Sequence, residues 1–323
     1  MCTAITYQTN DHYFGRTLDL EYSYNEEVVV TPRNFPLKFR GQETICSHYA
    51  FIGMATVMEG FPLYYEAANE HGLAMGGLNF PGNTQYYEKC AGKDNVTPFE
   101  FIPWILGQCR DLPQARELLG RINLWNEPFS KELPLSPLHW MIADRTGAIT
   151  VECMAGGMKI HENPVGVLTN NPPFDYHMTH LQSYLNLTAR EAENRFGDVE
   201  LVPFSRAMGA LGLPGDVSSP SRFVRATFVK ANSVSARGEN ESVSQFFHIL
   251  GAVEQQRGCV RLKDGRYVIT VYTSCINTDK GIYYYTTYDN CCISKVDMRK
   301  CNLEGTETFR YPLEKTMLFH EQN

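Results

Sequence analysis

The sequence has no basic run. Its 29 lysines and arginines are outnumbered by 36 aspartates and glutamates, for a formal charge of −7. A nucleic-acid partner needs clustered positive charge, so none is expected. No apolar stretch reaches the roughly 18 residues of a membrane span, so no membrane partner is expected either. The opening run MCTAITYQTNDHYFGR lacks a positive segment followed by a long apolar one. That pattern predicts no secretory leader and a cytoplasmic protein. The ten cysteines include no C-x-x-C pair, and their spacing is irregular for a zinc site. His177 and His180 stand three apart without a third ligand at a telling spacing, so no metal is expected. Internal repeats and low-complexity tracts are absent as well.

What is there suits a large core. The chain is 43% hydrophobic and 12% aromatic over 323 residues. Alternating apolar residues predict strands at 2–7, 13–20, 27–32, 49–57, 63–68 and 73–78, with Asn10-Asp11 as a turn. Helical spacing takes over at 98–109, with Thr97 as a cap and Pro98 in the first turn, and again at 113–122. A hairpin follows at 138–144 and 148–153, then short strands at 158–161 and 166–169. Helices are expected at 220–232 and 241–256, and strands at 267–275 and 281–289. Two groups of strands with helices between them suggest packed sheets covered by helices, in one domain over 1–323. The Gly- and Pro-rich stretch near 186–218 reads as an excursion from that domain.

Five places carry candidate chemistry. Once an aminopeptidase removes Met1, Cys2 holds a thiol and its own α-amine, a nucleophile and a base on one residue. The run Phe14-Gly15-Arg16-Thr17-Leu18-Asp19 lies on the strand after it. An arginine near Cys2 favours a thiolate, and an aspartate near the new N-terminus orients an ammonium. In a regular strand Arg16 and Leu18 share a face, so Asp19 reaches Arg16 only through a bulge or a strand end. The strand ending at Asn79, in GGLNFPG, presents backbone N–H groups for an oxyanion, and Asn170, in GVLTNNPP, offers a side-chain amide. Arg222 follows Pro220 in the first turn of a helix. Taken singly, each has a bland reading: an accidental cysteine, a surface ion pair, ordinary turns, a solvated arginine.

Together and in this order, Cys2, FGRTLD, GLNFPG, LTNNPPF and PSRF resemble the choloylglycine hydrolase family, which includes bile salt hydrolases and penicillin V acylases. The likeness extends over PFEFIPWILGQ, LPLSPLHW, SQFFHIL and IYYYTTYDN. The resemblance implies an α+β fold, an αββα sandwich of two antiparallel sheets covered by helices, of the N-terminal-nucleophile type. It implies Cys2 as nucleophile, Arg16 and Asp19 as the polar pair around it, Asn79 and Asn170 as oxyanion donors, and Arg222 completing the network. No cofactor is implied. Arg16, Leu18, Met58, Phe61, Asn79 and Leu135 become candidates for substrate contact. Thr17 departs from the family, where Asn is common, at a position given neither role. The residues of GLNFPG favour conjugated bile salts as substrate, hydrolysed at the glycine or taurine amide. The alternatives are a penicillin V acylase or acyl-homoserine-lactone acylase and, in a different class, a non-catalytic bile-acid-binding protein. The 186–218 excursion resembles the family's assembly segment, which implies a homotetramer.

Overall fold

The computed structural model describes residues 1–323. In chain order the strands begin with β1 (Cys2–Gln8), β2 (His12–Leu20), β3 (Glu27–Thr31), β4 (Phe51–Met58), β5 (Phe61–Asn69), β6 (Ala74–Asn79) and β7 (Asp94–Val96). Helices α1 (Phe101–Gln108) and α2 (Leu112–Leu119) come next, then β8 (Ile122–Leu124), β9 (Leu138–Asp144), β10 (Gly147–Met154), β11 (Gly157–Glu162) and β12 (Val167–Leu168). The last third holds α3 (Phe174–Leu181), α4 (Ser219–Asn232), α5 (Glu239–Gly251), β13 (Ile269–Asn277), β14 (Ile282–Thr287), β15 (Asn290–Asp297) and β16 (Phe309–Pro312). None of the helices is long and apolar enough to cross a membrane.

The strands form a six-stranded sheet, β12-β1-β2-β13-β14-β15, and an eight-stranded sheet, β11-β10-β9-β6-β5-β4-β3-β16. Pairing within both is antiparallel. Side chains of the eight-stranded sheet alternate between two cores, as the pleat requires. Val28, Val30, Ile52, Met54, Ala74, Leu78, Met141 and Ala143 join the core shared with the other sheet. Their neighbours Val29, Phe51, Ala55, Met75, Trp140 and Ile142 join a second core with Phe101, Ile105, Leu118 and Leu119 from α1 and α2. Helices α4 and α5 cover the far face of the six-stranded sheet through Phe223, Ala226, Phe246 and Ile249. The layers are therefore helix, sheet, sheet, helix, as the resemblance implies.

Several local expectations shift. The first helix begins at Phe101, with Glu100 rather than Thr97 at its cap position. Glu100 turns its carboxylate back onto the backbone N–H groups of Thr97, at 3.1 Å, and Arg40, at 2.7 Å. Those bonds hold residues 97–100 as a turn, so Pro98 lies ahead of the helix. The helix at α2 starts one residue earlier than expected, because Asp111 accepts the Gln114 N–H at 3.0 Å, and Ile122 passes to a short parallel ladder of β7 with β8. Helix α5 stops at Gly251. Neither α3, β15 nor β16 is expected from periodicity, because each is short or half exposed.

Candidate active site

Cys2 opens β1 and is paired directly with Leu18 of β2; Thr3 pairs with Thr17 and Ala4 with Arg16. The register is regular, so Cys2, Ala4, Arg16 and Leu18 share one face while Thr3, Thr17 and Asp19 share the other. Gly15 is dictated by the neighbouring strand: a Cβ there would stand 2.1 Å from the Ser274 carbonyl oxygen. Met1 prolongs the strand by one residue, since its carbonyl accepts the Asp19 N–H at 2.9 Å and its amine donates to the Asp19 carbonyl at 2.5 Å.

Arg16 points between the sheets. Its guanidinium donates to the carbonyl oxygens of Gly77 and, at 3.4 Å, Tyr65, and lies 3.8 Å from the Glu66 carboxylate. Glu66 also accepts the phenol groups of Tyr272, at 2.8 Å, and Tyr283, at 2.5 Å. Burial alone would pull Arg16 down, but the charges of Cys2, Tyr272, Glu66 and Asp19 outweigh it and hold the guanidinium above its ordinary range. Glu66 is pushed up by burial, against the opposing pull of Arg16 and the two tyrosines.

Asp19 points the other way, toward the helices. Its carboxylate accepts hydroxyls from Thr270, at 2.7 Å, and Thr17, at 3.1 Å. Burial raises its pKa, while Arg222 and the N-terminal amine lower it. Arg16 and Asp19 therefore flank Cys2 from opposite faces of β2. The bulge lies in β13 instead. Its register against β2 shifts between Thr270 and Tyr272. Residues two apart on a regular strand share a face. The shift lets Thr270 meet Asp19 on one side while Tyr272 meets Glu66 on the other.

Arg222 enters from the first turn of α4. That turn is organised by Asp216, which accepts from the Ser218 N–H at 2.9 Å and the Ser221 hydroxyl at 2.5 Å. These bonds, from Ser218 first, hold the Asp216 carboxyl down at about 2. The Arg222 guanidinium donates to the Cys2 carbonyl at 2.5 Å, the Thr3 hydroxyl at 2.6 Å and the Asn170 Oδ1 at 2.8 Å. Burial lowers its pKa, opposed by Asp19 and Cys2.

Asn170 joins the parts. Its Oδ1 accepts the Cys2 N–H at 2.8 Å, and its Nδ2 donates to the Asn79 carbonyl at 2.7 Å. The Asn170 N–H is held by the Ser219 hydroxyl at 2.8 Å. Next door, the Phe80 N–H is spent on the Pro137 carbonyl across the ladder. Antiparallel bonds alternate sides, so the Asn79 N–H points away from β9, where pairing of β6 with β5 has already ended at Gly76. His177 donates from Nε2 to the Asn170 carbonyl at 2.8 Å, and burial pulls its pKa down to about 4.

Six of the expected residues thus gather within one hydrogen-bonded neighbourhood of Cys2: Arg16, Leu18, Asp19, Asn79, Asn170 and Arg222. The other three stand apart. Met58 and Phe61 sit at the tip of the β4–β5 hairpin, roughly 16 Å along the strand from Glu66. Phe61 packs there against Phe99 and Phe129, with ring centroids 6.2 and 6.4 Å away. Leu135 is half-buried in the segment leading to β9. Glu66, Tyr272, Tyr283, Ser219, His177 and the His139–Glu152 pair were not anticipated. Only Glu66 and Glu152 gave a usable signal, each a lone carboxylate on an apolar strand.

Two packed antiparallel sheets between helical layers, with a cysteine at the head of β1, define the N-terminal-nucleophile hydrolase fold. Residues 2–311 match the choloylglycine hydrolase family of linear amide C–N hydrolases. The chain is 51% identical to a bile salt hydrolase/transferase of Lactiplantibacillus plantarum, over 324 aligned residues and the whole of both chains. It superposes with a TM-score of 0.93, at 36% identity and over the whole of both chains, on a conjugated bile acid hydrolase of Clostridium perfringens solved as a cysteine-to-alanine variant. A penicillin V acylase of Agrobacterium tumefaciens shares the fold, with a TM-score of 0.75 at 19% identity over 96% of this chain and 90% of that one. This chain belongs to the choloylglycine hydrolase family and is a linear amide C–N hydrolase.

Proposed function

We propose that the protein hydrolyses the amide bond joining a bile acid to glycine or taurine, with Cys2 as nucleophile after Met1 is removed. The observation that carries this reading is the Asn170 carboxamide, which spans from the Cys2 nitrogen to the Asn79 carbonyl. The substrate class rests on the likeness to bile salt hydrolases along the full chain.

Loss of Met1 turns the Cys2 amide nitrogen into a free amine. The amine takes the thiol proton as sulfur attacks the amide carbon, and the carbonyl π electrons move to oxygen. The Asn79 N–H and a proton of Asn170 Nδ2 stabilise that oxyanion. Collapse breaks the C–N bond, and the Cys2 ammonium returns its proton to the departing amine of glycine or taurine. A thioester remains on Cys2. Water attacks it, giving one proton to the amine, and C–S cleavage frees the bile acid. Asp19 and Arg222 orient the terminal residue, and Arg16 balances the thiolate. Phe61, Leu135 and the exposed Met58 are assigned to the steroid face, with Leu18 as a buried wall beside the thiol.

We read residues 1–323 as one domain that assembles as a homotetramer through the excursion at 186–218. Phe196, Val202 and Phe204 are 73%, 79% and 87% exposed there, which suits a surface covered by other copies. The deciding experiment couples intact mass, to register removal of Met1, with hydrolysis of glycocholate, taurocholate and penicillin V under one condition. Cholate release by the processed chain is expected. Full activity in Cys2→Ala sinks the nucleophile, and hydrolysis of penicillin V alone sinks the substrate.

A further inference from the structure

We propose that His139 is a positioning residue that locks together the two segments assigned to the oxyanion; the inference rests on the function just proposed. His139 stands on β9, buried between the sheets. Its ring lies flat on Phe80, the residue after Asn79, with centroids 4.3 Å apart and planes 5° from parallel. Its edge grips the other segment: Nε2 is 2.8 Å from the carbonyl of Thr169, the residue before Asn170. One imidazole thus touches both neighbours of the oxyanion donors.

Its second nitrogen explains how it is held. His139 Nδ1 lies 3.1 Å from Glu152 Oε1, which also accepts the Phe174 N–H at 3.0 Å. The remaining Glu152 oxygen faces His161 Nε2 at 3.4 Å, and His161 Nδ1 is 3.0 Å from the exposed Asp175 carboxylate. A carbonyl oxygen only accepts, so the Thr169 bond is donated by the ring Nε2–H. Glu152 holds the opposite edge of the ring and so fixes its plane against Phe80 and Thr169. Sealing such groups in a dry layer costs more than filling the space with apolar side chains of like volume. The arrangement yields a fixed geometry for Asn79 and Asn170, and a displacement of about 1 Å at such a centre costs on the order of 10²-fold in rate.

The test uses His139→Phe, which keeps the ring on Phe80 but loses the donor, and His139→Gln, whose amide reaches toward Thr169. kcat and KM for glycocholate are measured per Cys2, counted by mass on the alkylated N-terminal peptide. His139→Phe is expected to lower kcat on the order of 10²-fold with KM unchanged, and His139→Gln to recover most of it. Equal losses in both variants, or His139→Phe at wild-type kcat, overturn the proposal. If neither folds, Glu152→Gln decides: it retains the volume and the Phe174 bond but takes the carboxylate away from His139 Nδ1. It should also lower kcat, and an unchanged kcat overturns the proposal. A wild-type chain that releases no cholate from either conjugate overturns the function and takes this inference with it. A working wild type with indifferent variants overturns the positioning alone.

Discussion

The two faces of the β1–β2 pair surround the same cysteine with different chemistry. On the face toward the eight-stranded sheet, Arg16 is sealed with Glu66, Tyr272 and Tyr283, every one of them buried. On the face toward α4, Asp19 and Arg222 lie among the hydroxyls of Thr3, Thr17 and Thr270. The first is a cation with a carboxylate at 3.8 Å, and its side-chain hydrogen bonds go to the carbonyls of Thr17, Tyr65 and Gly77 rather than to the Cys2 backbone. The second touches that backbone directly, with Arg222 on the Cys2 carbonyl. The difference teaches that charge near a nucleophile divides into two tasks. The inner face supplies a fixed positive field whose loss unbalances the core. The outer face orients the terminal residue, and its loss should register in the rate.

Removing what both faces serve is the largest break. Cys2→Ala should abolish turnover while leaving the denaturation midpoint near wild type, and Cys2→Ser should retain only a trace, because serine is poorly ionised at neutral pH. Residual cholate from the alanine variant, measured over long incubation, would end the assignment. On the outer face, Asp19→Asn should cut kcat on the order of 10²–10⁴-fold, the usual worth of acid–base machinery, with a small change in the urea midpoint. On the inner face, Arg16→Leu leaves Glu66 as a buried carboxylate without its cation and should cost about 3–5 kcal/mol in urea denaturation. Adding Glu66→Leu removes the unpaired carboxylate but orphans the Tyr272 and Tyr283 hydroxyls, so it should return only part of that stability, without returning the rate. If Asp19→Asn destabilises more than Arg16→Leu, the division between the faces is wrong.

Acid sharpens the comparison through residues outside both faces. Burial holds His177 and His12 down to about 4, so both are neutral in the folded chain at pH 7. Unfolding restores their ordinary affinity near pH 6.5. The unfolded chain then binds more protons between pH 6.5 and 4, and stability must fall as pH drops through that window. Each histidine contributes up to about 1.4 kcal/mol per pH unit. Thermal midpoints from pH 7 to 4.5 check the sign, and His12→Gln should flatten the slope. The smallest effect is expected far from the site. Phe204→Ser should change the stability of the isolated chain by within ~0.5 kcal/mol but shift light scattering toward smaller assemblies. An unchanged mass distribution removes the excursion from the assembly.

Strands and helices with a clear period were readable within a few residues, because a half-buried strand or an amphipathic helix writes its face into the chain. The strands holding Cys2, Arg16 and Asn79 are of this kind. Elements whose burial comes from distant chain were not readable. Helix α3 buries only Phe174 and His177, and β16 is a half-exposed edge on β3. Thr97 looked like a cap because Ser and Thr before a Pro usually are. The helix starts later because the Glu100 carboxylate takes the backbone N–H groups of Arg40 and Thr97, which lie outside the helix, and holds 97–100 as a turn.

The same boundary runs through the site. Sequence alone determined which groups could act: a thiol and an amine on one residue after Met1, two asparagines at strand ends, and an arginine in a first helical turn. Those follow from residue type and local period. Only the tertiary structure decided which partners each charge meets, because one extra residue in β13 reverses the alternation and sends Thr270 to Asp19 and Tyr272 to Glu66. It also decided that His139 would meet Phe80 and Thr169, residues that lie far apart along the chain. Local sequence encodes neither result, since both arise where separate strands of two sheets are packed together and buried polar groups take the partners that packing brings within reach.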